Sequence, residues 1–542
     1  MLLCVVARSY TRRNALYASG KSKLMITSLR TRNPHCSHFS FYNCFLHYLL
    51  AYIISIIMEL GNIVDFLENK VMLITGATGF LAKIFVEKVL RVQPNVKKLY
   101  LLVRASDGKS ALQRFNTEAV AKDLFKLLRE KHGTNLQTFL SEKVTLVAGD
   151  ITCEDLGVQD PSLKAEMWRD VDVVVNAAAT TNFDERYDVA LTLNTFGAKN
   201  VLNFAQKCVN IKLLLHISTA YVSGEKPGLM LETPFCWGES LNGTNGLDID
   251  EEKKILENKL KELKSDHNAS DEMINLAFKD LGMQRANHYG WPNTYVFTKA
   301  LGEMIIGHLR GDMPVVIIRP TIVTSTFKEP FPGWVEGIRT IDSLALAYAK
   351  GRLTCFLGNP EGIYDVVPAD MVVNAMITTI AANANLTCSE AIYHVGSSVS
   401  NPLKFSTYQK CAFWYFTDCP WIGKDGKPIL VGEVTVLNSM SSFYRYIGFR
   451  YLLPLLVVLN EVWIGDLLFI LGRYVGSSEF EQDCFTRVMV QSINTPILEK
   501  NTSTTLFLIV HQALTPSSLT KLHLYCKRYK ADVLTSLVHH LS

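Results

Sequence analysis

The twelve residues Val71–Ala82, VMLITGATGFLA, constrain this chain more than any other stretch. Val71–Thr75 is a continuous apolar run without polar alternation, the pattern of a strand buried on both faces. Gly76 and Gly79 free the backbone for a tight turn, and Ala82 puts a small residue where a following helix must pack on the strand. This is the spacing of a dinucleotide-binding turn with alanine in its last place, in which backbone N–H groups and a helix N-terminus face a pyrophosphate. Glycine turns between strand and helix also serve purely structural ends, so the surrounding pattern has to decide.

That pattern repeats. Leu81–Val92 has helical periodicity and Val96–Arg104 (VKKLYLLVR) reads as a second strand. Further apolar strands are expected at Val144–Ile151, Val171–Ala179, Leu213–Thr219 and Val315–Thr321. Strands alternating with helical stretches predict an α/β fold, a doubly wound parallel Rossmann sheet covered on both faces. Ligands of such sheets bind at the carboxyl ends of the strands, where Gly76, Arg104, Asp150, Asn176, Thr219 and Pro320 all fall. The second strand ends on Arg104 with no acid nearby, which suits a ribose 2′-phosphate and hence NADP(H) rather than NAD. Asp150 is placed to meet the adenine.

The 542 residues suffice for two or more domains with buried cores. A formal charge of +4, without a dense Lys/Arg stripe, gives no case for nucleic acid. The 12 cysteines form no CxxC pair and no Cys/His cluster at zinc spacing, so the reading is reduced thiols and no metal. Sequons at Asn242, Asn268, Asn385 and Asn501 arise easily by chance and carry no weight in a cytosolic chain.

Residues 1–58 differ from everything after them. They hold several Arg, Lys and Ser but no Asp or Glu, and end in the apolar run Phe41–Met58. An organelle transit peptide, a signal anchor, and a translated leader before a working start at Met58 all fit, and each excludes the segment from fold reasoning.

The chemistry centres on Tyr295-Val-Phe-Thr-Lys299, just ahead of the helical run Ala300–Leu309. Four residues apart on a helix, Tyr295 and Lys299 share a face. A tyrosine is a poor proton source or base at neutrality, and a neighbouring ammonium is expected to lower its pKa into catalytic range. Thr219, or its neighbour Ser218, ends a strand and can hydrogen-bond the same carbonyl oxygen.

The glycine turn, NAAATTNFDERYD (Asn176–Asp188), HISTAYVSG (His216–Gly224), YGWPNTYVFTKALGE (Tyr289–Glu303) and IIRPTIVTSTFKEPFPGW (Ile317–Trp334) resemble the extended short-chain dehydrogenases. Among these the chain resembles the plant-type alcohol-forming fatty acyl-CoA reductases, from about Met58 through Leu455 and including VGSSVSNP (Val395–Pro402). The resemblance implies Tyr295 and Lys299 as catalytic pair, with Thr219 at the family's Ser/Thr position and Ser218 beside it. It implies NADPH contacts at Gly76, Thr78, Gly79, Phe80, Leu81, Arg104, Asp150, Ile151, Asn176, Ala177, Ala178, Lys299, Pro320, Thr321 and Ile322. It further implies two hydride transfers from NADPH, converting a long-chain fatty acyl-CoA through a bound aldehyde to a primary alcohol with release of CoA. The setting it implies is the cytosolic face of the endoplasmic reticulum, at the membrane surface, or a plastid if residues 1–58 are a transit peptide.

Ile249–Ser265 reads as a charged, solvated helix in an insert that caps the acyl entrance, and Tyr364–Met376 as a strand feeding a helix. The expected organisation is a leader at 1–58, a cofactor domain with a substrate-binding insert at 59–400, and a partly helical C-terminal segment at 401–542. In that last segment the apolar run Tyr451–Gly472 holds Glu461 and Asp466, which speaks against a spanning helix. Beyond about Gly476 the resemblance stops. Two rivals follow: a catalytically impaired NADPH-binding homologue with an aberrant C-terminus, and a reductase or epimerase of the same fold acting on another carbonyl.

Overall fold

The structure is a computed structural model and describes residues 63–265, 269–385 and 389–452. The readings made for the leader 1–58, the run 451–472 and the divergent tail fall outside these residues, apart from Tyr451 and Leu452. The chain divides into two compact units. One runs up to Gly337 and resumes over Tyr364–Leu403; the other comprises Ile338–Ile363 and the chain from Lys404 onward.

The first unit is built on seven strands: β1 (Val71–Thr75), β2 (Lys98–Val103), β3 (Val144–Ala148), β4 (Val173–Asn176), β5 (Leu213–Ile217), β6 (Val315–Pro320) and, after the short strands β7 (Ile322–Thr324) and β8 (Val366–Pro368), β9 (Glu390–Val395). Their order is β9-β6-β5-β4-β1-β2-β3, and every pairing in the sheet is parallel. The chain thus winds outward from β1 to β3 and then restarts at β4 on the other side of β1. That reversal opens a crevice at the carboxyl ends of β1 and β4. Successive strand residues divide between two cores, Met72, Ile74, Leu99 and Leu101 on one face and Val71, Leu73, Tyr100 and Leu102 on the other. This explains why the strands read as unbroken apolar runs.

The helices that position the site are α1 (Phe80–Val92), α2 (Gly197–Gln206), α3 (Ile249–Ser265), α4 (Asp271–His288), α5 (Thr294–Leu309) and α6 (Ala369–Asn383). Asp370, in the first turn of α6, accepts the N–H groups of Phe327, Lys328 and Glu329 at 2.7–3.0 Å, and the Glu329 carboxylate reaches Lys88 and Arg91 on α1. The segment after β7 is thereby strapped across the sheet's flanking helices.

Several boundaries differ from the expected ones. The third, fourth and fifth strands stop three, three and two residues early, at Ala148, Asn176 and Ile217. At the end of β3 the Asp150 N–H turns to Leu156 O, and at the end of β5 the Ser218 N–H goes to Ile318 O. Asp150, Ala177, Ala178, Ser218 and Thr219 therefore sit in the turns beyond the strands, where ligands bind. The Tyr295–Lys299 motif is not ahead of a helix but inside it: the Asn293 side chain caps the Val296 N–H and starts α5 at Thr294. The expected strand and helix around Tyr364–Met376 appear as β8 and α6. β9, which was not anticipated, extends the sheet beyond β6.

In the second unit the helices Thr340–Ala349 and Phe405–Asp418 pack together, and the strand Cys355–Leu357 pairs in parallel with Thr435–Leu437. The Tyr348 and Tyr408 hydroxyls donate to Gly432 O and Ile341 O. An apolar cavity between these elements is lined by Leu344, Tyr348, Phe356, Phe405, Tyr408 and Val434. Among the described residues no helix is long and apolar enough to cross a membrane.

Candidate active site

Thr219, Tyr295, Lys299 and Pro320 converge at the carboxyl ends of β5 and β6. α5 is buried on all sides from Thr294 to Ile306, so its side chains are fixed by the sheet on one hand and the α3–α4 layer on the other. The Thr219 hydroxyl acts on the Tyr295 hydroxyl, favouring its ionised form. Thr219 Oγ1 also donates to Pro320 O at 3.4 Å, and the Phe183 ring packs on Tyr295 with centroids 5.5 Å apart. Ser218 Oγ is buried and, among the described residues, has no hydrogen-bond partner. A buried hydroxyl with no such partner has its hydrogen-bonding capacity open to a ligand's polar atom.

The electrostatics depart from the expectation for the pair. Burial pushes Tyr295 up to about 12, the nearby Thr219 hydroxyl opposing it by less. Burial likewise brings Lys299 down to about 8, with Glu303 pulling the other way. Lys299 Nζ does not turn to Tyr295: it donates to Ile217 O at 2.6 Å and stands 3.3 Å from His216 Nε2. Low polarity around both side chains therefore outweighs their mutual influence, and Tyr295 is held as a neutral phenol, a proton donor.

On the cofactor side, Gly76 has φ +69°, and a Cβ there would lie 2.8 Å from the Ala178 backbone. Only glycine lets the turn after β1 lie against the turn after β4. α1 begins at Gly79 without a side-chain cap and without an acid in its first turn, so the positive end of its dipole faces the crevice without a neutralising carboxylate on its own first turn. Arg104 is exposed at the end of β2, where its carbonyl accepts from Arg114 Nη1 at 2.6 Å. The uncapped helix, the glycine turn and the orphaned Ser218 hydroxyl fit a dinucleotide and a carbonyl substrate.

Other predicted residues have polar groups engaged within the protein. The Thr78 hydroxyl helps hold the Glu118 carboxyl below its ordinary pKa, after Arg114. Asp150 Oδ1 accepts the Thr152 N–H, and Ile151 is buried with its carbonyl held by Asn200. The Thr321 and Ile322 N–H groups go to Val395 O and Asp365 O. Asn176 is buried, its amide spent between Thr75 and His216.

A family model described as male sterility protein, an NAD-binding domain, matches residues 74–376. The alcohol-forming fatty acyl-CoA reductase of Simmondsia chinensis is 58% identical over 401 residues, covering 74% of this chain and 81% of the relative. The chain belongs to the alcohol-forming fatty acyl-CoA reductases. Fatty acyl-CoA reductase 1 of Arabidopsis thaliana is 54% identical over 73% of this chain and 81% of its own length. A second Arabidopsis reductase, fatty acyl-CoA reductase 2, chloroplastic, is 43% identical over 70% of this chain and 63% of its own length. The cofactor of this reductase domain is a nicotinamide dinucleotide.

Four features of the reductase site escaped the sequence reading: His216, Phe183, and the buried pair Glu303 and Arg319. His216, Glu303 and Arg319 are polar residues inside an otherwise apolar strand or helix, and that interruption is the signal that could have found them, whereas Phe183 lies in the loop after β4. Ile249–Ser265 is the predicted helix but is not wholly solvated, since Glu252 is buried and accepts from Tyr187 OH at 2.7 Å and from Arg285 Nε at 3.0 Å.

Proposed function

We propose that this chain reduces long-chain fatty acyl-CoA to the primary alcohol with NADPH, through a bound aldehyde and with release of CoA. The observation that carries the reading is the buried Thr219 and Tyr295 hydroxyls beside the buried Ser218 hydroxyl, unpartnered among the described residues, in a chain of this family. The 58% identity to a reductase named for forming alcohols supports the substrate and product.

In this reading Gly76, Thr78, Gly79, Phe80 and Leu81 form the turn and the α1 N-terminus that face the pyrophosphate, Arg104 takes the ribose 2′-phosphate, and Lys299 takes the nicotinamide ribose. Asp150 and Ile151 border the adenine, and Asn176, Ala177, Ala178, Pro320, Thr321 and Ile322 form the remaining wall. NADPH supplies hydride when bound. Tyr295 and Thr219 donate hydrogen bonds to the carbonyl oxygen as negative charge develops on it, first on the thioester and then on the aldehyde. Collapse of the first adduct expels CoA. Tyr295, kept protonated by burial, delivers its proton to the alkoxide of the second reduction. We place the enzyme at the cytosolic face of the endoplasmic reticulum, at the membrane surface; the chloroplastic relative favours a plastid if residues 1–58 direct import.

The test expresses the full chain in a host lacking fatty alcohols and analyses its lipids by gas chromatography. Primary alcohols, absent with Tyr295→Phe, are expected. A folded protein that binds NADPH yet oxidises it with no acyl-CoA would instead be the impaired homologue, and tight co-purifying NAD+ would favour an epimerase.

A further inference from the structure

A line of hydrogen bonds crosses the crevice beneath the cofactor turn and ends on Lys299. The Ala178 N–H donates to Thr75 Oγ1 at 3.1 Å, and Thr75 Oγ1 donates in turn to Asn176 Oδ1 at 2.8 Å. Asn176 Nδ2 lies 3.0 Å from His216 Nδ1, and His216 Nε2 lies 3.3 Å from Lys299 Nζ. Thr75, Asn176, His216 and Lys299 are all buried.

The direction of this line is not free. A backbone amide can only donate and an amide oxygen can only accept, so Thr75 Oγ1 takes the Ala178 N–H and gives its own proton to Asn176 Oδ1. Asn176 Oδ1 is then taken as an acceptor, and its NH2 group must face His216 Nδ1. An NH2 group can only donate, so Nδ1 carries no proton, and a neutral ring carries its proton on Nε2. Burial and the nearby Lys299 charge both push the imidazole well below its ordinary pKa, which keeps it neutral. The Nε2–H therefore points at the Lys299 amino group. An ammonium group has three donors and no acceptor, whereas a neutral amine can accept Nε2–H while still donating to Ile217 O.

We propose that His216 is a positioning residue for Lys299: fixed as the Nε2–H tautomer by the line Ala178–Thr75–Asn176, it presents a donor to the lysine and biases its amino group toward the neutral form. The lysine's readiness to take up a proton is thus tied to the turn after β4, which also borders the cofactor crevice. The other titratable or charged groups around Lys299 are Tyr295 and Glu303 on α5 itself and Arg319 of β6, whose charge meets that of Glu303. The proposal rests on the reading of Lys299 as the ribose-binding lysine, but its tests do not depend on turnover.

The first test records 15N spectra of the histidine-labelled full chain without cofactor. His216 is expected as the neutral Nε2–H tautomer across neutral pH; an Nδ1–H tautomer or an imidazolium would overturn the proposal. The second uses His216→Asn, whose carbonyl can still accept from Asn176 but whose shorter side chain ends before the Nε2 position and takes the donor away from Lys299. NADPH binding, followed by nicotinamide fluorescence against pH, is expected to hold to higher pH, its alkaline limb rising by about one unit, a tenfold change in the ammonium-to-amine ratio at fixed pH. A limb that stays in place while affinity or stability falls would reduce His216 to a structural residue. If His216→Asn does not fold, Thr75→Val serves: it frees the Asn176 amide to turn over, so both His216 tautomers should appear, and a single unchanged tautomer would overturn the proposal. Failure of Lys299→Ala to weaken NADPH binding would remove the underlying role of Lys299 and is read separately.

Discussion

Arg319 of β6 grips the Glu303 carboxylate of α5 with two nitrogens, Nε at 3.1 Å and Nη2 at 2.6 Å, and both side chains are 1% exposed. The same guanidinium donates to Thr233 O and lies over the Phe235 ring. One buried charge pair thus fastens the helix that carries Tyr295 and Lys299 to the strand that ends at Pro320. Removing one partner leaves the other charge without compensation in a dry interior, which typically costs about 3–5 kcal/mol. Glu303→Ala is therefore expected to lower the unfolding free energy by about that amount, and the double variant with Arg319→Met should recover part of the loss. Denaturant unfolding of the full chain checks this; equal stability of Glu303→Ala and wild type would mean that the pair does not fasten α5.

The pH dependence follows from the two buried groups. Lys299 stands at about 8, below its ordinary value, so its ammonium is present at neutrality and is lost as pH rises through that value. With Lys299 gripping the ribose as an ammonium, NADPH affinity should fall about tenfold per unit well above pH 8. Tyr295, pushed up to about 12, stays a phenol over the same range and adds no limb of its own. A binding profile flat from pH 7 to 10 would remove the ammonium from cofactor binding.

Most of the fold was legible because a sheet buried on both faces needs apolar strands, and six of its seven strands stand out as such runs. β9 did not, since EAIYHV carries Glu390 and His394, which face Arg310 and Arg319 at the sheet's outer edge. The site was legible where chemistry demands a residue type at a spacing, as in Gly76, Tyr295 and Lys299. The direction of Lys299 was not, because it depends on His216 and Ile217, some eighty residues away in sequence and brought close only by the sheet. The same holds for Glu252: a carboxylate in a charged helix looks solvated until Tyr187 and Arg285 are seen to close over it.

Gly76→Ala tests the turn that begins the cofactor site. The added Cβ would stand 2.8 Å from the Ala178 Cα and N, and the backbone at φ +69° is one that side chains rarely adopt. Both neighbours are backbone, so neither can swing aside, and the turns after β1 and β4 must separate. NADPH affinity should fall by at least tenfold. The melting temperature should fall as well, since the Thr75–Ala178 hydrogen bond spans the same gap. Unchanged affinity by fluorescence titration would place the pyrophosphate elsewhere.

The proposed preference for NADPH over NADH rests on Arg104. Its side chain is exposed at the end of β2, where strands of this fold meet the adenosine ribose, and Arg114 is drawn to the same place by its bond to the Arg104 carbonyl. Arg114 is already paired with Glu118, so Arg104 is the arginine there with a guanidinium to offer a phosphate. A hydrogen bond to a charged group contributes about 1.5–3 kcal/mol, or roughly 10- to 150-fold in affinity. Arg104→Ser should therefore weaken NADPH by that factor and leave NADH, which has a hydroxyl where NADPH has the phosphate, nearly unchanged. Arg104→Lys should restore part of the preference, as a charge without the two-pronged geometry of a guanidinium. Equal losses for both cofactors would mean that Arg104 supports the strand end and that the 2′-phosphate is recognised by another residue, with Arg114 the next to replace.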